Sequence, residues 1–145
     1  MPRVAVEPLR RRILFVCVHN AGRSRMAAAF LDHMAGDRYE AVSAGTEPAD
    51  AAHPEVMAAM AEAGIEVPDG PGTLLTADLA GSAERIIGMG CAVAEACPAL
   101  SVPLEDWGLP DPKGRPVEEV RIIRDTTRRL VERLVARLDT EAAVS

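Results

Sequence analysis

A short apolar segment near the amino terminus most constrains the fold of this chain. Residues 12–17 (RILFVC) are almost continuously apolar and end abruptly at polar residues. A short run of this kind is typical of a β-strand that is buried on both faces, as in a parallel sheet. A turn of small residues follows at 20–22, and apolar side chains then recur at helical spacing over residues 24–34. This succession of strand, tight loop and helix predicts the beginning of a parallel α/β fold.

The rest of the chain continues the alternation of strands and helices. We predict strands at 39–44 and 84–89, a short fourth strand at 100–104, and helices at 53–63, 76–81 and 117–138. Residues 107–116 (WGLPDPKGRP) contain too much proline and glycine to form a strand or a helix, so we predict a loop there. The chain is therefore expected to form one α/β domain over residues 12–145, preceded by an extension at residues 1–11. Its core would be a four-stranded parallel sheet flanked by helices on both faces.

Charge and composition exclude several classes of protein. Sixteen basic and twenty-two acidic residues give a formal net charge of −6, whereas binding to nucleic acid needs a basic stripe that releases counterions. No stretch approaches the ~20 consecutive apolar residues of a membrane span. The apolar run after the arginines at 10–12 is shorter than the ~7–15 residues of a signal peptide. We therefore expect a cytoplasmic protein that binds neither nucleic acid nor a membrane.

The loop between the first predicted strand and helix has the composition of an oxyanion site. It reads CVHNAGRS, from Cys17 to Ser24. Small residues let successive backbone N–H groups point inward, the following helix directs its positive end at the same point, and an arginine can hold two oxygens of a tetrahedral anion. The predicted oxyanion-binding residues are Val18, His19, Asn20, Ala21, Gly22, Arg23 and Ser24.

The same positive groups favour the thiolate form of Cys17, which would make it a nucleophile at neutral pH. Ser24 could donate a hydrogen bond to that thiolate. The alternative is a buried core cysteine followed by a surface arginine, because Cys-x5-Arg also occurs by chance. The coincidence of strand, small-residue loop and helix favours the functional interpretation.

Displacing an oxygen from a tetrahedral anion requires a proton donor for the leaving group. Asp111, between two prolines in residues 107–116, is the candidate, although Asp-Pro is also an ordinary turn dipeptide. His19 more often shapes such a loop than acts as a base. His33 and His53 are assigned no role, because neither has a cysteine or an acidic partner at metal-ligand spacing. No metal site is predicted.

Two further cysteines, Cys91 and Cys97, follow the third predicted strand, at the same edge of the sheet as Cys17. Three cysteines, an odd number, exclude a fully paired disulfide scaffold. A single Cys-x5-Cys pair is poor spacing for zinc, which leaves a redox pair or two buried cysteines of an alanine-rich helix. If residues 92–96 are helical, the two α-carbons lie ~9 Å apart, beyond the ~7 Å that a disulfide tolerates. A Cys91–Cys97 disulfide would then require a conformational change.

Together these segments resemble a known family. The loop CVHNAGRS, the sequence SAGT at 43–46, the Cys91/Cys97 pair and WGLPDP before a long C-terminal helix are similar to thioredoxin-coupled arsenate reductases. Those enzymes share the low-molecular-weight tyrosine phosphatase fold, and the resemblance covers about residues 12–138. It implies a role in arsenic detoxification, with no bound cofactor and with reduced thioredoxin as the electron donor.

The resemblance also implies a role for each cysteine. Cys17 would attack arsenate held by the loop amides and Arg23, while Asp111 protonates the departing oxygen. Cys91 would then attack Cys17 and release arsenite. Cys97 would carry the oxidation to a Cys91–Cys97 disulfide, which thioredoxin reduces.

This chain departs from the family's pattern at two points. Five residues separate Cys91 from Cys97, whereas the best-known members have six, so mycothiol or glutaredoxin stays open as the electron donor. Members that bind potassium carry a glutamate where this chain has Ala28, so no potassium ion is predicted.

Two other functions would use the same loop. A low-molecular-weight protein tyrosine phosphatase would employ the same nucleophile, arginine and acid, but such enzymes carry aromatic residues after the Asp-Pro. This chain has Lys113, Gly114 and Arg115 there, and it contains one tyrosine and one tryptophan. A phosphatase would also leave the second and third cysteines without a role. The third alternative is a non-catalytic module that senses an oxyanion or the redox state.

Overall fold

The computed structural model describes residues 10–89 and 104–144 of the chain. Within these ranges the strands are β1 (Arg11–Cys17), β2 (Tyr39–Gly45), β3 (Arg85–Gly88) and β4 (Leu104–Asp106). The helices are α1 (Arg23–Ala35), α2 (Pro54–Glu62), α3 (Ala77–Ser82) and α4 (Val117–Val144). The strands lie in the order β2-β1-β3-β4, and each neighbouring pair is parallel. The predicted four-stranded parallel α/β fold is therefore confirmed.

The central position of β1 explains its continuous apolar sequence. Successive side chains of a strand point to opposite faces of the sheet, and helices cover both faces here. Ile13 and Phe15 are fully buried in the core that contains α1, α2 and α4, whereas Leu14 and Val16 are fully buried in a second core beside α3. Each such side chain contributes about 1.5–3 kcal/mol by its burial. The first strand is therefore apolar at every position between its basic start and Cys17.

Two elements have bounds that differ by more than one residue from the predicted ones. The predicted end of the last helix followed its apolar periodicity to Leu138, which is buried, but α4 continues to Val144. Its last turns contain alanine and glutamate, which favour a helix without needing a buried face. The fourth strand was predicted at 100–104 from apolar residues, yet β4 spans Leu104–Asp106 and pairs with β3 through its backbone. Residues 100–103 lie outside the described part of the chain.

The arginines at the start of β1 are held by acidic side chains at the edge of the sheet opposite to Cys17. Arg11 pairs with Glu84, and Arg12 pairs with Glu40 at 3.0 Å. A strand of seven residues spans about 20 Å, so these cations lie far from the cysteine. They join the beginnings of the strands. β1 begins at Arg11, one residue before the predicted strand and within the predicted amino-terminal extension.

None of the helices in the described ranges is both long enough and apolar enough to pass through a membrane.

The carboxylate of Glu105 joins the edge strand β4 to the C-terminal helix. Both of its oxygens accept hydrogen bonds of 3.0 Å from the guanidinium of Arg137, and one also accepts a bond of 2.6 Å from Nε1 of Trp107. These bonds, above all those from Arg137, lower the pKa of Glu105 below its ordinary value. A bidentate pair of this kind explains how an acidic residue is accommodated in a strand.

We expect Glu105→Gln to lower the free energy of unfolding near pH 7, because it removes the charge that pairs with Arg137. The loss should be only roughly 1 kcal/mol, because both side chains of this pair are partly exposed. A carboxyl whose pKa is lowered by folding contributes stability above its unfolded pKa and loses it as the pH falls through the folded value. The difference between wild type and variant should therefore shrink below about pH 4.5, the unperturbed value. Urea denaturation at pH 7 and at several values below pH 4.5 measures it. A difference that is the same at every pH would show that the charge of Glu105 does not contribute.

Candidate active site

The candidate site lies at the edge of the sheet where the parallel strands end. Cys17 is the last residue of β1 and is 2% exposed. The loop after it, residues 18–22, is bonded to residues 46–53, which follow β2, and lies beside residues 107–116, which follow β4. In parallel α/β sheets, ligands bind at this edge.

The loop after β1 (residues 18–22, the oxyanion loop) directs its carbonyl groups outward. Three of its carbonyl oxygens accept hydrogen bonds of 2.8 Å from amides of the segment that follows β2: Val18 from Glu47, His19 from Ala49, and Ala21 from His53. The C=O and N–H of one trans peptide point in opposite directions. The amides that follow these carbonyls are therefore turned toward the inside of the loop, where they can surround an anion.

The amino end of α1 completes this positive region. Its N-cap is Gly22, which provides no side-chain cap, and its first turn contains no acidic residue. Helices usually begin with a capping oxygen and carry acidic residues in the first turn. This helix instead begins with Arg23 and Arg25, so its free N–H groups and two guanidinium groups lie at the same end. An anion would satisfy these N–H groups.

Two glycines allow neighbouring segments to approach the oxyanion loop closely. A Cβ on Gly45, in the SAGT sequence, would lie 2.6 Å from the carbonyl oxygen of Val18, and one on Gly22 would lie 2.9 Å from Cγ of Pro112. A side chain at either position would force the segments apart. The first glycine lets β2 end against the oxyanion loop, and the second lets the segment that carries Asp111 pack on it.

A buried serine contacts the cysteine sulfur. Oγ of Ser24 lies 2.9 Å from Sγ of Cys17 and accepts a hydrogen bond of 2.7 Å from Nδ2 of Asn20. A thiolate has no proton to donate, so Ser24 is the donor whenever Cys17 is ionised. The hydroxyl therefore stabilises the nucleophilic form of the cysteine.

Asn20 holds the middle of the loop. It has φ of 48°, in the left-handed region, and no other described residue except glycine has positive φ. Asparagine tolerates this conformation better than most residues. Its amide oxygen accepts a hydrogen bond of 2.9 Å from the backbone N–H of Thr73, while Nδ2 donates to Ser24. Both ends of the side chain therefore stabilise the conformation of the loop.

Arg23 is buried beside the loop, with 7% of its surface exposed. Nη1 donates hydrogen bonds of 2.8 Å to the carbonyl oxygens of Met89, after β3, and Leu109, after β4. Within the described part of the chain, no hydrogen bond occupies Nε or Nη2. The guanidinium is thus fixed by one nitrogen and can offer the other two to an oxyanion.

These groups surround one small recess. Its lining consists of Cys17, His19, Ala21, Gly22, Arg23, His53 and Asp111. The structure therefore brings the predicted nucleophile, arginine and acid together. Oδ1 of Asp111 accepts a hydrogen bond of 3.0 Å from the N–H of Lys113, which orients the carboxyl group. Cys91 and Cys97 lie outside the described residues, so their place beside the recess stays a prediction.

Two histidines contribute to the recess. Nδ1 of His19 lies 3.2 Å from the carbonyl oxygen of Glu47, in keeping with a role in shaping the loop. His53, to which the sequence assigned no role, also lines the recess. Burial lowers its pKa despite the nearby carboxylates of Glu55 and Asp111, which favours the neutral form of its imidazole. No local motif indicates this position, because it results from the bond between the His53 amide and the oxyanion loop. His33 is exposed on α1, outside the recess.

No cluster of three or more metal-binding side chains occurs among residues 10–89 and 104–144.

The sequence and the fold are similar to those of several known proteins. A family model described as low molecular weight phosphotyrosine protein phosphatase matches residues 12–144. A provisionally named arsenate reductase of Halobacterium salinarum is 39% identical over 116 residues, which are 77% of this chain and 81% of that protein. Reductases and phosphatases share this fold, as two solved structures show.

One of these structures is a thioredoxin-dependent arsenate reductase of Corynebacterium glutamicum. It is 34% identical, with a TM-score of 0.71, and the match covers 92% of this chain and 65% of the other. The second is an arginine phosphatase of Geobacillus stearothermophilus. It is 30% identical, with a TM-score of 0.79, and the match covers 90% of this chain and 94% of the other.

We expect Asn20→Ala to lower the free energy of unfolding by roughly 2–4 kcal/mol, because it removes two side-chain hydrogen bonds and forces alanine into the left-handed region. Asn20→Gly loses the same bonds but adopts positive φ without strain, so it should cost about 1 kcal/mol less. Urea denaturation of both variants measures the difference. Equal losses in the two variants would show that the conformation at this position is not strained.

Proposed function

Because the chain belongs to the low molecular weight phosphotyrosine protein phosphatase family, we propose that the recess around Cys17 is an active site that reduces arsenate to arsenite. The observation that carries this proposal is the placement of a serine-bonded cysteine sulfur and a fixed arginine around one small recess. Arsenate is a tetrahedral oxyanion, and inward amides, a helix amino terminus and a guanidinium suit such an anion. Reduction would serve arsenic detoxification.

The lining of the recess favours a free oxyanion over a phosphotyrosine side chain. The chain has four aromatic residues in all, and none of them lines the recess. Phe15 and Phe30 are buried in the core, and the Tyr39 hydroxyl donates to Asp139 on α4. Trp107 packs against Phe15, with ring centroids 5.9 Å apart. No ring is therefore placed to stack on a phosphorylated tyrosine.

In the first step the thiolate of Cys17 attacks arsenic, a sulfur–arsenic bond forms, and one arsenic–oxygen bond breaks. Asp111 donates a proton to the departing hydroxyl oxygen, which leaves as water. Nε and Nη2 of Arg23 and the loop amides hold the remaining oxygens, whose negative charge increases in the transition state. Ser24 stabilises the attacking thiolate by its hydrogen bond.

In the second step Cys91 attacks the sulfur of Cys17. A disulfide forms between them, the sulfur–arsenic bond breaks, and its electron pair stays on arsenic, which is reduced from As(V) to As(III) and leaves as arsenite. Cys97 then attacks the sulfur of Cys91 and releases the Cys17 thiolate. The remaining Cys91–Cys97 disulfide holds the oxidising equivalents.

Reduced thioredoxin is the proposed electron donor, and no bound cofactor is needed. Its dithiol supplies the two electrons and two protons that restore Cys91 and Cys97. The similarity to a thioredoxin-dependent reductase supports this donor, as does the presence of three cysteines in the chain. The relay requires a compartment that keeps thiols reduced, and the cytoplasm is such a compartment.

We expect wild-type protein to consume NADPH in the presence of arsenate, thioredoxin and thioredoxin reductase. Cys17→Ser, Cys91→Ser and Cys97→Ser should each lower turnover at least about 100-fold, because no other side chain replaces the missing thiol. The assay without arsenate gives the background rate.

Two results would contradict parts of this proposal. Full activity of Cys97→Ser would exclude the thioredoxin relay and indicate a mycothiol- or glutaredoxin-type donor. Rapid hydrolysis of phosphotyrosine or phosphoarginine, with no response to arsenate, would make the protein a phosphatase.

We expect Asp111→Asn to lower arsenate turnover by about 100-fold or more, the usual contribution of a general acid. Asp106→Asn is a matched control, because Oδ1 of Asp106 accepts a bond of 3.0 Å from the amide two residues later, as Asp111 does, but lies outside the recess. Steady-state kinetics with saturating arsenate should show a lower kcat for the first variant and wild-type kcat for the control. A wild-type kcat in Asp111→Asn would remove this residue from the mechanism.

A further inference from the structure

Arg25 lies next to the oxyanion loop but outside the recess. Only 8% of its surface is exposed. Its guanidinium donates to the carbonyl oxygen of Asn20, to that of Pro68 at 3.1 Å, and to that of Gly70 at 2.7 Å. Among the described residues, all its hydrogen bonds therefore go to backbone carbonyls.

A buried cation without a bonded carboxylate is costly, because its charge loses hydration. Burial lowers the pKa of Arg25, while the charges of Asp69 and Cys17 act in the opposite direction. Glutamine or methionine could fill similar space without this cost. A guanidinium can donate all three of these hydrogen bonds to carbonyl oxygens, whereas a neutral side chain of the same length cannot.

These bonds connect two segments that have no regular structure of their own. One is the oxyanion loop, at Asn20. The other is the segment 66–73, which contributes the two remaining carbonyls and also the Thr73 amide that bonds the side chain of Asn20. Arg25 and Asn20 thus attach the same segment to the oxyanion loop from two sides.

We propose that Arg25 is a positioning residue for Cys17, which acts through Asn20 and Ser24. The path is continuous: Arg25 donates to the carbonyl of Asn20, Nδ2 of Asn20 donates to Ser24, and Ser24 contacts the cysteine sulfur. Arg25 thereby keeps Asn20 in the conformation that presents Ser24 to the thiolate. Its fixed positive charge also favours the thiolate over the thiol. The inference rests on the proposed function only in that Cys17 is the nucleophile.

The test measures the reactivity of Cys17 directly. Full-length protein with Cys91→Ser and Cys97→Ser keeps one thiol, and iodoacetamide alkylation of that thiol is followed from pH 5 to pH 9. In this background we compare Arg25→Gln and Arg25→Lys with Arg124→Gln. The last is a control for the loss of an arginine away from the recess, because Nη1 of Arg124 also donates to a backbone carbonyl, that of Ala59 at 2.8 Å, although Arg124 pairs with Glu62 and Asp125 as well.

Arg25→Gln should slow alkylation at pH 7 by about tenfold, as expected for the loss of a charge-assisted hydrogen bond, and move the pH of half-maximal rate upward. Arg25→Lys should recover part of the rate, since it keeps the charge but not the three-way bonding. Arg124→Gln should react like the parent protein. Inorganic phosphate should protect the parent and Arg124→Gln at lower concentrations than Arg25→Gln.

Parent-like alkylation and phosphate protection in Arg25→Gln would overturn the proposal and leave Arg25 with a purely structural role. If Arg25→Gln does not fold, Arg25→Lys provides the test. A folded lysine variant with the alkylation rate and pH profile of the parent would show that the three hydrogen bonds of Arg25 do not position Cys17. Neither measurement depends on arsenate turnover. A protein that ignores arsenate but shows these effects would therefore contradict the proposed function and keep the role of Arg25.

Discussion

The site depends on hydrogen bonds that draw the carbonyl oxygens of the oxyanion loop away from its centre. The donors belong to residues 46–53, and they reach the loop because β2 pairs with β1 along its full length and ends beside it. A glycine at the end of β2 allows the close approach. With its carbonyls held outside, the loop presents converging amides to an anion, and the uncapped end of α1 adds to the same field. The pairing of β2 with β1, the glycine at the end of β2 and the uncapped start of α1 therefore all contribute to the anion-binding geometry.

Much of the fold could be predicted because the sheet is buried on both faces. A central strand of such a sheet is continuously apolar, and β1 shows this pattern from Ile13 to Cys17. The placement of the oxyanion loop could also be predicted, because an apolar run that ends at Cys17, small residues and a helical pattern follow one another in the sequence. The sequence around Asp111 is compatible both with a proton donor and with an ordinary turn residue. The place of Asp111 in the recess depends on Pro112 packing against Gly22, which is a contact between distant segments.

The features that the sequence did not indicate depend on long-range contacts or on segments without a buried apolar face. Arg25 bonds carbonyls 43 and 45 residues away, and no local pattern reports such partners. His53 lines the recess because its own amide holds the oxyanion loop. β4 includes two acidic residues that lie beyond the predicted apolar run, and backbone pairing and the Arg137 guanidinium stabilise it. The final turns of α4 continue beyond the last buried leucine because helix propensity and the ion pairs of Asp139 with Arg38 and of Glu141 with Arg85 stabilise them.

The packing of Trp107 gives the molecule an internal optical probe. This indole is the single tryptophan of the chain, stacks at an angle on Phe15 two residues before Cys17, and donates its N–H to Glu105. Trp107 also lies two residues before Leu109, whose carbonyl oxygen accepts a hydrogen bond from Arg23. Its emission spectrum therefore arises from one defined position, between the edge strand and the segment that closes the anion site. Changes in that segment would alter the indole's surroundings without any label being attached.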